Sequence, residues 1–204
     1  MVTELHESQR EPGCEPELFI TFANTLKLRD DPADDHARDV QALHAWLADR
    51  SLTSSRVPQT AVEGEMPAFR ELRDLVRELV ARLADGRQPT GRQLRALNRV
   101  LRDGLHYHQL VLDPAGGDRF AVSQVGDDLA QARSTIAGSL AHYLADHDRE
   151  RLRICADDTC RWLFVDHSPA GRRRWCDMRT CGNRAKVARH RARARGALAQ
   201  SLPS

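Results

Sequence analysis

The chain has 204 residues, a size that suits one or two domains. Hydrophobic residues make up 41% of it and charged residues 29%, and it has neither a run of about 18 apolar residues nor a basic, apolar N-terminal leader. We therefore exclude a membrane-spanning protein, a secreted precursor and a collagenous or wholly disordered chain, and we expect a cytoplasmic protein.

The charge is divided unevenly along the sequence. Residues 1–150 contain 18 Lys and Arg against 25 Asp and Glu, a net charge of −7. Residues 151–204 contain 13 against 4, a net charge of +9. An acidic body with a basic C-terminal segment is typical of a protein that binds a polyanion.

The predicted elements begin after a polar leader, residues 1–16, which we expect to be mobile. The apolar run after it, within residues 18–25, fits either a short strand or the start of a buried helix, because periodicity cannot decide over so few residues. A helix is predicted over about residues 35–50, followed by a polar loop over 51–64. The next helix follows Pro67 and has an apolar stripe on one face.

A third helix is predicted between a Thr90 cap and a stop at Gly104, with Leu97 on its apolar face. After this helix the hydrophobic period changes to two residues, so residues 107–112 and 119–124 predict a β-hairpin. A further helix begins at Asp127 and Asp128. The last segment, from Cys181 to about residue 195, is rich in Ala and Arg and favours helix. The fold class is therefore mainly α with one hairpin, an α+β N-terminal domain, followed by a small C-terminal lobe.

Four of the five cysteines form a C-x4-C-x15-C-x4-C pattern: Cys155, Cys160, Cys176 and Cys181. Two close pairs joined by a loop are the spacing of a tetrahedral zinc site with four thiolates, and two disulfides or four unrelated thiols are the alternatives. Because four thiolates fill the coordination shell, we predict one structural Zn²⁺ and not a catalytic one. Nearby arginines, Arg184 among them, would offset the charge of the site.

The region from Leu152 to Arg193 resembles the CGNR zinc-finger family. The resemblance rests on the four cysteines, on Trp162-Leu163-Phe164-Val165-Asp166, on Arg173-Arg174-Trp175-Cys176 and on Cys181-Gly182-Asn183-Arg184. Trp162, Leu163, Phe164 and Trp175 are expected to form a small core around the metal. Gly182 and Asn183 are expected to form a tight turn, for which Asn tolerates left-handed geometry.

Upstream, the sequence is similar to the ABATE domain that precedes this finger in related proteins. This similarity rests on Phe22-Ala23-Asn24-Thr25 and on the order of elements, although Thr21 stands where the family tends to have Asp. The resemblance implies a transcriptional regulator, linked to stress in some members, with an N-terminal domain that binds an unidentified ligand. The predicted organisation is a leader (1–16), an ABATE-like domain (17–148), a finger (149–195) and a tail (196–204).

The basic residues around the second cysteine pair are the candidates for DNA contact. On a helix, Lys186, Arg189 and Arg193 share a face that could neutralise phosphates. The alternative is a solvated basic surface, or a zinc-stabilised module that binds an acidic protein without DNA. A DNA-binding protein would be nucleoid-associated. The full set of candidates is Arg172, Arg173, Arg174, Arg184, Lys186, Arg189, Arg191 and Arg193.

Asn24 and Thr25 are the candidates for ligand binding in the N-terminal domain. Their polar side chains lie beside an apolar run, as in a ligand pocket, but Asn24 could equally cap a helix. His106 and His108 would face one side of a strand, without an evident third metal ligand. Since no phosphate-binding loop or nucleophile motif is present either, we predict that the protein is not an enzyme.

Overall fold

The computed structural model describes residues 17–25, 39–54, 56–112 and 119–200, with side chains up to residue 193. The predicted leader, residues 1–16, lies outside these ranges. The described chain is mainly helical, as the sequence predicts, and it has two antiparallel β-hairpins: the predicted one and a short second one that the sequence analysis did not predict. Its elements are α1 (Leu18–Ala23), α2 (Val40–Asp49), α3 (Gln59–Ala84), α4 (Gly91–Asp103), β1 (Tyr107–Leu112), β2 (Phe120–Val125), α5 (Asp128–Asp146), β3 (Leu152–Ile154), β4 (Leu163–Val165) and α6 (Asn183–Gln200).

The apolar run that the sequence left open is a helix. In α1, Phe19 and Phe22 are fully buried three residues apart, so both reach the same face. The Phe19 N–H, which a helix start leaves without an intrahelical acceptor, donates to the Ser139 hydroxyl of α5 at 2.9 Å. Contacts with α5, which lies far away in sequence, therefore hold this short helix in place.

Helix α3 starts earlier than predicted, at Gln59 and not after Pro67. Pro58 occupies the N-cap, where its missing N–H costs nothing, and Pro67 lies inside the helix. Val62 and Met66 are buried and extend the apolar stripe toward the N-terminus. The predicted loop over 51–64 is therefore wrong for its second half, because buried contacts outweigh the local effect of Gly64 and Pro67.

The remaining boundaries follow the sequence signals closely. Thr90 and Gln93 form a capping box at the start of α4, Gly104 ends that helix, and Asp127 caps α5. Helix α2 begins at Val40, capped by Asp39, and the earlier part of its predicted range lies outside the described residues. Strands β1 and β2 pair in antiparallel register. Helix α6 continues to Gln200, so the predicted tail from residue 196 is in part helical.

The hydrophobic core joins the two predicted domains. Leu152, Leu163 and Val165 of the β3–β4 hairpin are buried in the same cluster as Phe19, Phe22 and the other core residues of the helices. Strand β3 packs along α3, and β4 contacts α1. A lobe of about 45 residues cannot bury a sufficient core alone, and here it shares the core of the helical body. Within the described residues, no helix combines the length and the apolar character needed to cross a bilayer.

Candidate metal centre and nucleic-acid interface

The four predicted ligands converge on one point. The Sγ atoms of Cys155, Cys160, Cys176 and Cys181 all lie within 4.8 Å of one another, and three of the four residues are fully buried. The Sγ–Sγ distances are 3.7 Å between Cys160 and Cys176 and 3.7 Å between Cys176 and Cys181. A disulfide would need about 2.05 Å, so the four cysteines are free thiols and the disulfide alternative is excluded.

This geometry fits a zinc ion. A tetrahedron with Zn–S bonds of about 2.3 Å has sulfur–sulfur edges of about 3.8 Å, close to the two distances above. Without a cation, burial raises the pKa of Cys160 to about 11, so that thiol would hold its proton at neutral pH. A bound divalent cation favours the deprotonated, thiolate form of the four cysteines, so metal binding offsets the effect of burial on their ionisation. The site therefore holds one structural Zn²⁺, with Cys155, Cys160, Cys176 and Cys181 as its ligands.

Asp157 organises the turn between the first two cysteines. Its Oδ1 accepts hydrogen bonds from the Thr159 N–H at 3.1 Å and the Thr159 hydroxyl at 2.7 Å. Its Oδ2 accepts from Arg184 Nε at 2.9 Å and forms an ion pair with Arg184 Nη2 at 2.6 Å. The Thr159 hydroxyl is the main cause that lowers the pKa of Asp157.

Arg184 links the two halves of the metal site. Besides its ion pair with Asp157, its Nη2 lies 3.3 Å from the Sγ of Cys181. A guanidinium at this distance offsets part of the negative charge that four thiolates bring to the metal. Arg184, predicted as a DNA contact, therefore has a structural role, as the charge argument from the sequence anticipated.

Asp177 organises the turn before the fourth ligand in a similar way. Its Oδ1 accepts from the N–H groups of Arg179 and Thr180, at the start of a single π-helical turn, Met178–Gly182. A Cβ at Gly182 would lie 2.8 Å from the Sδ of Met178, so the exposed Met178 side chain would have to move to make room for it. Asn183 has right-handed helical angles and begins α6, so the expected left-handed turn is wrong.

Two known protein families match the two parts of this chain. Residues 17–147, more than half of the chain, match the ABATE family, described as "putative stress-induced transcription regulator". The chain belongs to the ABATE family. Residues 151–194 match the CGNR zinc finger, so this ABATE protein carries that finger directly after its helical body. A comparison with curated proteins finds no match.

The aromatic residues of the CGNR finger divide between two environments. Trp175 packs against the cysteine cluster, as predicted. Leu163 belongs to the core shared with the ABATE helices and Phe164 is covered by the guanidinium of Arg173, while Trp162 is 37% exposed. The predicted core around the metal is therefore wrong for Trp162 and Leu163, because the alternation of β4 turns Leu163 toward the helices.

Asn24 of the ABATE body binds the backbone of the CGNR finger. Its Nδ2 donates to the Leu163 carbonyl at 2.8 Å, and its Oδ1 accepts from the Leu163 N–H at 2.9 Å. The amide thus pairs with the free edge of β4 as a neighbouring strand would. Asn24 is the C-cap residue of α1, where its backbone N–H bonds to the helix, while its side-chain amide is occupied by the backbone of Leu163.

Thr25 is also engaged within the protein. Its side chain is buried and its hydroxyl donates to the Phe22 carbonyl at 2.7 Å. The structure therefore brings Asn24 and Thr25 together at the contact between body and finger, and it does not direct either polar group toward a ligand. This role has no local sequence signal, since Leu163 is 139 residues away from Asn24.

Arg77 of α3 crosses the same contact. Its Nη1 donates to the Ala23 carbonyl at 3.0 Å and its Nη2 donates to the Arg161 carbonyl at 3.1 Å. Burial, followed by the nearby charge of Arg73, lowers the pKa of Arg77. A single guanidinium thus joins the end of α1 to the loop before β4, and sequence reasoning did not identify it.

Asp166 holds the loop that follows β4. This fully buried carboxylate accepts from the Ser168 N–H at 3.0 Å, the Ser168 hydroxyl at 2.6 Å and the Arg173 N–H at 2.7 Å. Burial opposes ionisation, but these hydrogen bonds outweigh it and lower the pKa of Asp166 to about 2. The loop that contains the three consecutive arginines is therefore fixed from inside by a negative charge.

The three consecutive arginines of that loop differ in their surroundings. Arg173 is half-buried, donates to the Cys176 carbonyl at 2.6 Å and lies over the Phe164 ring, so its role is internal. Arg174 is exposed with its guanidinium over the Trp175 ring. Arg172 is exposed. Of the three predicted DNA contacts, only Arg172 and Arg174 are presented to solvent.

Helix α6 presents the other predicted contacts. Lys186, Arg189, Arg191 and Arg193 are all exposed, and none of them forms an ion pair with another residue of the described ranges. At about 100° per residue, Lys186, Arg189 and Arg193 lie on the side of α6 opposite Arg184. Because Arg184 points to the metal site, those three side chains point away from the finger. We call them the α6 basic face.

His106 and His108 lie near each other at the start of β1, with ring centroids 5.7 Å apart and edge to face. Within the described residues, the groups that could hold a metal ion comprise the four cysteines alone. The predicted absence of enzyme activity stays a prediction.

Proposed function

We propose that this ABATE protein is a DNA-binding transcription regulator whose zinc finger orients α6 toward the phosphates of duplex DNA. The observation that carries this proposal is the α6 basic face: Lys186, Arg189 and Arg193 project together into solvent, opposite the side that Arg184 fixes to the metal site. A metal-anchored helix with one cationic side is suited to a polyanion.

The dimensions of α6 agree with this role. Lys186 and Arg193 are separated by two helical turns, or about 10 Å along the axis. A helix of this kind fits the major groove, which is about 12 Å wide, while its cations contact phosphates on the groove edges. Because α6 is exposed on nearly all sides over its described side chains, it does not need to leave a packed position to reach DNA.

The test is the salt dependence of binding by the full, zinc-loaded chain to a duplex of mixed sequence, followed by fluorescence anisotropy. The triple variant Lys186→Ala, Arg189→Ala, Arg193→Ala removes the α6 basic face. We expect weaker binding at low salt and a reduction of the log–log salt slope by about 3, since each phosphate contact contributes about 0.9.

A matched control is available on α4, where Arg92, Arg95 and Arg99 are exposed with the same spacing. Replacing these three by Ala removes the same charge from a helix outside the finger and should leave the salt slope unchanged. Equal weakening by both triple variants would mean that net charge alone attracts DNA. Absence of binding by the wild-type protein at low salt would refute the proposal and favour an acidic protein as the partner.

The small-molecule ligand stays a prediction from the family resemblance. The proposal does not assign it to Asn24 and Thr25, since both side chains are engaged within the protein. Regulation of DNA binding through the N-terminal body would act through the contacts that join that body to the finger, which are the shared apolar core and the hydrogen bonds of Asn24 and Arg77.

A further inference from the structure

We propose that the outer face of the β1–β2 hairpin is a self-association surface on which a second copy of this chain docks. In the antiparallel register, Leu110 lies opposite Val122 and Leu112 lies opposite Phe120. Residues two apart on a strand share a face, so these four side chains form one contiguous block. We call this block the hairpin apolar face.

The hairpin apolar face is fully presented to solvent. Its four side chains are 65–70% exposed, whereas Val111, Ala121 and Val125 on the opposite face are half-buried. Four large side chains with this exposure offer on the order of 400 Å² of apolar surface. A contiguous patch of this size is typical of an interaction site and not of a random surface.

The hairpin also lacks the features that keep exposed strands apart. Strands β1 and β2 contain no Asp, Glu, Lys, Arg or Pro, although charged residues make up 29% of the chain. Exposed edge strands are usually protected by charges, proline or bulges. An isolated two-stranded hairpin is marginally stable in water, so packing against a second sheet would stabilise it.

The charge distribution favours a second copy as the occupant. Residues 1–150 carry a net charge of −7 and residues 151–204 carry +9, so a charged partner would be attracted to those surfaces and not to the hairpin. The hairpin apolar face carries no charged side chain, so two copies can bring these faces together without burying a charge. It has no charge with which to select a charged partner, and a flat apolar block is complementary to itself about a two-fold axis.

Two such faces would form a small sandwich, with the sheets about 10 Å apart. The apolar block supplies about half of the roughly 800 Å² per partner of a stable interface. We therefore infer a reversible dimer, with the rest of the contact made by residues around the block. This inference is tested without DNA, so its outcome does not depend on the proposed function.

The experiment is sedimentation velocity of the full, zinc-loaded chain from roughly 1 to 100 µM. We expect the mass to rise from monomer to dimer with concentration. Leu112→Glu places a charge in the hairpin apolar face and should weaken dimerisation at least tenfold. Leu94→Glu is the matched control, because Leu94 is also an exposed leucine but lies on α4.

Far-UV circular dichroism checks that the variants fold. If Leu112→Glu does not, Val122→Thr takes its place, since threonine keeps the shape and the strand preference of valine and should still weaken dimerisation several-fold. The inference is overturned if the wild type stays monomeric throughout, if the folded hairpin variant dimerises like the wild type, or if Leu94→Glu weakens the dimer equally. A monomer that binds another protein through this face also overturns it.

Discussion

Replacement of Asn24 by Ala tests whether the ABATE body and the CGNR finger are one cooperative unit. The change removes two hydrogen bonds to the backbone of Leu163, each worth about 1 kcal/mol. It also leaves the N–H and C=O of that buried residue without their partners, which costs about a further 1 kcal/mol. We therefore expect the free energy of unfolding to fall by about 3 kcal/mol.

For a chain of this size, 1 kcal/mol corresponds to about 2–4 °C in Tm. Asn24→Ala should therefore lower Tm by about 6–12 °C, measured by circular dichroism with zinc in excess. Thr21→Ala is the control on the same helix, because Thr21 is exposed and its hydroxyl makes only a local bond to the Leu18 carbonyl. Its effect should stay within about 0.5 kcal/mol.

Hydrogen exchange separates this contact from a general loss of stability. In Asn24→Ala, the amide of Leu163 should exchange faster than the amides in the middle of α3, because its acceptor is gone. A Tm within about 2 °C of the wild type, or unchanged exchange at Leu163, would refute the reasoning. The finger would then be held by its apolar contacts and by the Arg77 hydrogen bonds, without a contribution from Asn24.

Three further predictions concern the metal site and the loop that follows β4. Cys176→Ser should abolish stoichiometric zinc and the ordered finger; one bound zinc per chain in this variant, measured by atomic emission, would contradict the ligand assignment. Asp157→Ala should weaken zinc binding about 10–100-fold in chelator competition, because Asp157 positions Arg184 and the first turn. The control variant Asp158→Ala, at an exposed neighbouring position, should leave the zinc affinity unchanged. Asp166→Asn should cost about 2 kcal/mol in urea unfolding. Because the pKa of Asp166 is lowered to about 2, its contribution is present above pH 4 and is lost only as the pH falls from about 4 toward 2, so the cost should be equal at pH 7 and pH 5.

Local signals in the sequence were sufficient for most element boundaries. Thr90 and Asp127 cap helices through hydrogen bonds to residues within one turn, so both caps can be predicted from the sequence spacing alone. The start of α3 was missed because burial of Val62 and Met66 by distant elements outweighs the breaking tendency of Gly64 and Pro67. Intrinsic propensity is a weak guide where packing decides.

The sequence by itself determined the metal site, because thiolate chemistry and the two pairs of cysteines restrict the ligands to one set. It also determined that the C-terminal segment is basic. Only the tertiary structure decided which arginines face the metal and which face solvent, and that Asn24 pairs with β4 instead of a ligand. The physical reason is the separation of the interacting residues along the chain. Metal-ligand spacing and helix caps depend on residues that are close in sequence, whereas the partner of a buried amide depends on the distant element that packs against it.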